Sequence, residues 1–208
     1  MTETKKRVLT IATIFTAIIL ICGIGLWIFL ANIPWGFARN VSQTEQEQRL
    51  AFVAAAEQWL GCNGTDNSHR QIIDLYNNHT PLAQGYIVQY DDSWCATFVS
   101  AAAINCGITD ILPTECGCER QIRLFQEMGC WEENDSYVPL PGDVIYYSSS
   151  ADISDDCTAW SDHVGIVVGT FGSIIKVIEG NYLNSVAYRY IWVDHTSIRG
   201  YGLPAFGE

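Results

Sequence analysis

The hydrophobic period of this chain changes near Pro139, and that change limits the fold more than any single motif does. Before it, apolar residues recur at helical spacing. "TEQEQRLAFVAAAEQWLG" (44–61) reads as an amphipathic helix with Thr44 as N-cap, Glu47 three residues on and Gly61 as its stop. "SHRQIIDLYNNH" (68–79) predicts a second, shorter helix, 80–94 a loop, and Cys95 the start of an alanine-rich helix. "ECGCERQIRLFQEMG" predicts a fourth, ending at Gly129. After Pro139 come "GDVIYYS", "HVGIVVGTF", "SIIKVIEG", "SVAYRYIWV" and "IRGYGLP", short β-branched and aromatic runs separated by Gly, Pro, Asn and Asp. Helices first and strands second imply an α+β domain, with the helices packed on an antiparallel sheet.

Ahead of that domain, residues 8–31 carry no charge. A bilayer crossing needs about 20 apolar residues, so 8–31 is expected to be a transmembrane anchor. "KKR" before it places 1–7 in the cytoplasm and everything after residue 31 outside. The organisation expected is a cytoplasmic N-terminus at 1–7, the anchor at 8–31, a juxtamembrane segment at 32–43 and one globular domain at 44–208. "GFA" at 36–38 would suit a cleaved signal peptide, but the apolar run is longer than the 7–15 residues usual in one. Either way the domain is exported.

Charge narrows the partners. Of 11 basic and 23 acidic side chains, only Lys5, Lys6, Arg7 and Glu3 precede the apolar run, so 32–208 holds 8 and 22, a net of −14. No basic cluster stands there to neutralise a phosphate backbone, and nucleic acid is excluded as a partner. Anionic wall polymers would also be repelled by the field of the whole domain.

Cys95 sits where "YDDSW" gives way to "CATFVSAAAINCG", at the first turn of a helix built for burial. A thiol there faces the positive end of the helix dipole and unpaired backbone N–H groups, which favour the nucleophilic thiolate. The polar residues before it predict that the sulfur opens on a cleft. Of four histidines, His69 and His79 flank a polar helix and read as solvated, and His195 falls in a turn. His163 begins a strand whose small residues admit a close neighbour. Glu179 ends the next strand, after the hairpin "TFGS", so an antiparallel pair brings the two side by side. A carboxylate accepting from the imidazole holds its tautomer and stabilises imidazolium. Asn181, two residues on, can orient the ring or the substrate.

"SWCATFVSAAA", "PLPGDVIYY", "DHVGIVVG" and "VIEGNY", in this order, resemble a CHAP domain, the amidase and peptidase branch of the papain-like cysteine hydrolases. The resemblance runs from about residue 50 to Pro204. It implies a papain-like fold, Cys95 as nucleophile, His163 as base, Glu179 as the acidic orienting residue and Asn181 as the polar residue after it. It further implies hydrolysis of amide bonds in bacterial peptidoglycan, either at the N-acetylmuramoyl–L-alanine bond or within stem peptides and cross-bridges. The backbone N–H of Cys95 would donate to the oxyanion, with Tyr90 and Gln89 as weaker candidates for substrate or oxyanion contacts. No cofactor or metal is expected.

Two other features invite metal readings. Asp152, Asp155, Asp156 and Asp162 crowd the segment before His163, but their spacing is not that of an EF-hand loop. "ECGCE" lacks a second close cysteine pair for zinc. Outside the apolar run, six cysteines besides Cys95 allow fifteen pairings or none, and the sequence leaves both open. Wall-remodelling or secretion machinery are partners compatible with such an enzyme. The competing functions are a wall-binding or scaffolding module with little hydrolysis, or an amidase acting on a non-wall substrate.

Overall fold

The computed structural model describes residues 22–25, 33–149 and 158–207. The chain divides into two units, 1–34 and 35–208. In the first, 22–25 are helical. The rest of the expected anchor at 8–31 lies outside the described residues, and among those described no helix is long and apolar enough to cross a membrane.

The second unit is α+β. Four helices, α1 (Gln43–Glu57), α2 (Arg70–Asn77), α3 (Cys95–Cys106) and α4 (Cys118–Glu127), come first. Six strands follow: β1 (Trp131–Glu132), β2 (Val144–Tyr147), β3 (His163–Phe171), β4 (Ile174–Tyr182), β5 (Ser185–Trp192) and β6 (Ile198–Gly202). They form one antiparallel sheet in the order β1-β6-β2-β3-β4-β5. The two-residue β1 carries too little alternation to be read from sequence.

Alternation along the strands sorts the core. Val144 and Tyr146 of β2, with Val164, Ile166 and Ile178, pack beneath the helices against Phe52, Ile72 and Phe98. Ile145 and Tyr147, with Val167, Ile175 and Val177, pack on the opposite face. Both faces of β2 are buried, which explains its unbroken apolar run. Helix α3 lies at the centre; Ala101, Ala102 and Ala103 are wholly buried and their small side chains let neighbouring elements approach.

Three expectations shift. The first helix is capped two residues earlier than expected, because Ser42 Oγ, not Thr44, accepts the Glu45 N–H at 3.1 Å. The domain also starts earlier. From Trp35 on, the expected juxtamembrane residues join it: Gly36 pairs with Thr170 on β3, and Arg39 donates to the Val138 carbonyl at 3.0 Å. His69 is buried rather than solvated, since its Nε2–H donates to the Tyr90 carbonyl at 2.9 Å and its ring packs on Trp94. It thereby ties α2 to the loop that leads into Cys95. No two described cysteines are bonded, and Cys157 and most of the acidic segment (150–157) lie outside the described residues.

Candidate active site

Cys95 opens α3, so its N–H belongs to the first helical turn and has no intrahelical acceptor. What fixes the position of this helix end is a glycine. A Cβ on Gly180 of β4 would stand 2.3 Å from Phe98 Cβ and 3.0 Å from Trp94 Cζ3. With hydrogen there instead, α3 settles onto β4 directly beside Glu179.

The structure brings Cys95, His163 and Glu179 together. His163 Nε2–H donates to Glu179 Oε2 at 2.9 Å, which leaves Nδ1 as the nitrogen able to serve the sulfur. Gly165 makes that contact sterically open: a Cβ there would lie 2.7 Å from Glu179 Cγ, so the carboxylate arm occupies the space a side chain would need. The imidazole is held between two aromatic rings, stacked on Tyr147 and tilted against Tyr182.

Sequence reasoning missed Arg189. Glu179 is fully buried, and Arg189 Nε stands 2.7 Å from its Oε1, an ion pair by distance though not aligned as a hydrogen bond. The guanidinium also lies over the Tyr147 and Tyr182 rings. The signal was in the hairpin register: Glu179 faces Ala187 across β4–β5, which makes Arg189 its diagonal neighbour.

Electrostatics couple the sulfur to the ring. Cys118 donates its S–H across 3.8 Å, and although burial opposes it, His163 and the Ala96 N–H add to the pull. Together they hold the Cys95 thiol well below the ordinary thiol range. The negative sulfur and burial push Cys118 well above that range. Burial alone would push His163 down; Cys95 and Glu179 outweigh it and raise the imidazole to about 9. Both shifts favour the thiolate–imidazolium form of the pair.

The remaining sequence candidates are placed differently. Asn181 sits at a left-handed backbone position (φ +58°) and makes no side-chain hydrogen bond among the described residues. Tyr90 and Gln89 have their polar atoms engaged: the Tyr90 hydroxyl donates to Asp74 at 2.7 Å and the Gln89 amide to the Ile87 carbonyl at 2.8 Å. Both line a cavity of about 470 Å³ with His69, Arg70 and Asn184, and Cys95 is not part of its wall. The open cleft expected at the sulfur is not found among the described residues; Cys95 is only 6% exposed, with the Cys118 sulfur 3.8 Å from its own. Beyond Cys118 lies a cavity of about 240 Å³, lined by Gly117, Cys118, Glu119, Arg120, Trp160 and Ser161. Trp160 on its rim is 66% exposed, with the Arg123 guanidinium over its ring. Among the described residues no cluster of His, Cys, Asp and Glu is arranged to hold a metal ion.

No protein-family model, no curated protein and no solved structure matches this chain.

Proposed function

We propose that the chain is a membrane-anchored cysteine hydrolase of papain-like, CHAP type, which cleaves amide bonds in peptidoglycan outside the cell. The observation that carries the reading is the arrangement of three side chains: a thiol at a helix start with depressed pKa, an imidazole beside it, and a buried carboxylate 2.9 Å from that imidazole. Each has a task in acyl transfer and none is needed by a passive binding module. The expected export of the domain and the four sequence stretches that resemble CHAP domains support the wall as substrate.

The Cys95 thiolate attacks the amide carbonyl, and the Cys95 N–H donates to the oxyanion that forms. His163 gives its proton to the leaving amine, which departs and leaves a thioester. The neutral imidazole then takes a proton from water, the hydroxide attacks the thioester, and Cys95 leaves as thiolate. Glu179 keeps the ring oriented through both steps, and Arg189 keeps Glu179 from turning. The exposed Trp160 ring offers a flat apolar face for a sugar or peptide at the nearby cavity.

The test is digestion of purified peptidoglycan by the full-length chain, with fragments identified by mass spectrometry. Cys95→Ala is expected to lower product formation at least 1,000-fold, as loss of a nucleophile does, while the far-UV circular dichroism stays unchanged. Stem peptides released whole from muramic acid mean an amidase, and fragments cut within the stem or bridge mean an endopeptidase. Products formed equally by Cys95→Ala would refute the reading, and no cysteine-dependent product on any wall would shift it to a scaffold or a non-wall amidase.

A further inference from the structure

The mechanism uses one face of the Cys95 sulfur and leaves the other to Cys118. Cys118 opens α4 as Cys95 opens α3, so two thiols stand at two helix starts with sulfurs 3.8 Å apart. Nothing in acyl transfer requires a second thiol there. A serine or alanine would fill the same place beneath the sheet.

We propose that Cys95 and Cys118 form a reversible dithiol–disulfide pair: a small hydroperoxide oxidises Cys95, Cys118 resolves the product, and the nucleophile stays blocked until a dithiol reductant frees it.

Three observations carry it. The two sulfurs are in contact, and a disulfide of about 2.05 Å needs them to approach by only about 1.8 Å. The roles are already divided, because Cys95 is the thiol drawn toward thiolate, whereas burial pushes Cys106 and Cys116 up. Access is limited to a small oxidant: Cys95 is only slightly exposed, and the cavity of about 240 Å³ reaches Cys118, whose sulfur contacts that of Cys95.

The chemistry balances. Cys95 thiolate attacks one peroxide oxygen; an S–O bond forms, the O–O bond breaks, and the departing oxygen takes a proton to leave as water. Cys95 is now a sulfenic acid. Cys118 sulfur attacks Cys95 sulfur; an S–S bond forms, the S–O bond breaks, and the hydroxide leaves as water with the proton of Cys118. Two thiols and one hydrogen peroxide become one disulfide and two waters. An external dithiol reverses this by two exchanges and is itself oxidised. Without Cys118, Cys95 would proceed to the sulfinic acid, which thiols do not reduce. The pair would thus protect an exported nucleophile as well as switch it off.

Only the effect on hydrolysis rests on Cys95 being the nucleophile; the disulfide does not. The full-length chain, reduced and desalted without oxygen, is treated with one equivalent of hydrogen peroxide. Loss of two thiols per chain is expected, with full recovery in dithiothreitol. In a Cys116→Ser chain, glutamyl endopeptidase cuts after Glu115 and Glu119, so the bridge should appear as the Cys95 peptide joined to residues 116–119. In Cys118→Ser, given two equivalents of hydrogen peroxide, Cys95 should instead gain two oxygens, one from each peroxide, that dithiothreitol cannot remove. The same oxidation product in wild type and Cys118→Ser, or a bridge from Cys95 to any other cysteine, overturns the proposal. Should Cys118→Ser misfold, the linkage found in Cys116→Ser decides alone. A correct bridge in a chain without cysteine-dependent hydrolysis would leave the redox pair standing and remove the hydrolase.

Discussion

At the scale of single residues, the site is a chain of charges in which each member sets the next. Arg189 stands against Glu179, Glu179 accepts from His163, and His163 faces the Cys95 sulfur. Because His163 is raised to about 9 and Cys95 lowered from its ordinary value, the two shifts favour a thiolate–imidazolium pair. Alkylation of Cys95 by iodoacetamide and hydrolysis should both rise as Cys95 ionises, but only hydrolysis should fall as pH passes about 9. Glu179→Gln removes a charge that raises His163 and should move this alkaline limb down by about one pH unit. Arg189→Met removes an opposing charge and should move it up, so the two variants shift the limb in opposite directions. A limb that moves with neither would separate the carboxylate from the titration. The same shift contributes stability: free imidazole titrates near 6.5, so the imidazolium contributes in full below that pH and the contribution is lost as pH rises through about 9. Cys95, His163 and Glu179 were legible in the sequence because each carries a local sign: a helix start, a strand start and a strand end. Arg189 and Cys118 carry none, since their meaning lies in a partner on another strand or helix.

At the scale of elements, the site depends on how closely α3 approaches β4. Glycines at 165 and 180 hold the space that the Glu179 arm and Phe98 fill. Gly180→Ala sets a methyl 2.3 Å from Phe98 Cβ, at the root of a buried side chain rather than its flexible tip. Overpacking of this kind costs about 1–3 kcal/mol, measurable as a lower denaturant midpoint. Because the strain falls beside Glu179, hydrolysis should drop by more than the loss of folded protein explains. Equal losses of activity and folded fraction would mean that the glycine serves stability only. The helix and strand order was readable from the change of period at Pro139, and β3 spans the nine residues read from its β-branched and aromatic run. The domain's early start at Trp35 was not, because a single pairing of Gly36 with Thr170 has no periodicity to detect.

At the scale of the whole molecule, charge and the apolar run bear on where the proposed hydrolase would work. Residues 32–208 carry a net of −14, so walls bearing anionic polymers should be cut slowly at low salt. Raising ionic strength from about 0.01 M to about 0.15 M shortens the screening length from about 30 to about 8 Å and should speed that digestion several-fold. Walls stripped of anionic polymer should show no such dependence, and equal salt responses would mean that the domain's field plays no part. The proposed anchor at 8–31 predicts that the full chain stays with membranes through alkaline carbonate extraction; release into the supernatant would contradict it. By itself the sequence determined the α+β order, the acidic character and three of the candidate site's side chains, because periodicity, composition and element ends are local properties. Only the tertiary structure decided that His69 is a buried tether, that Tyr90 and Gln89 are engaged with their own neighbours, and that Cys118 meets the Cys95 sulfur. Those facts depend on which surfaces meet when helices close over a sheet. Cys95 and Cys118 stand 23 residues apart, and only the packing of α3 and α4 brings their sulfurs to 3.8 Å.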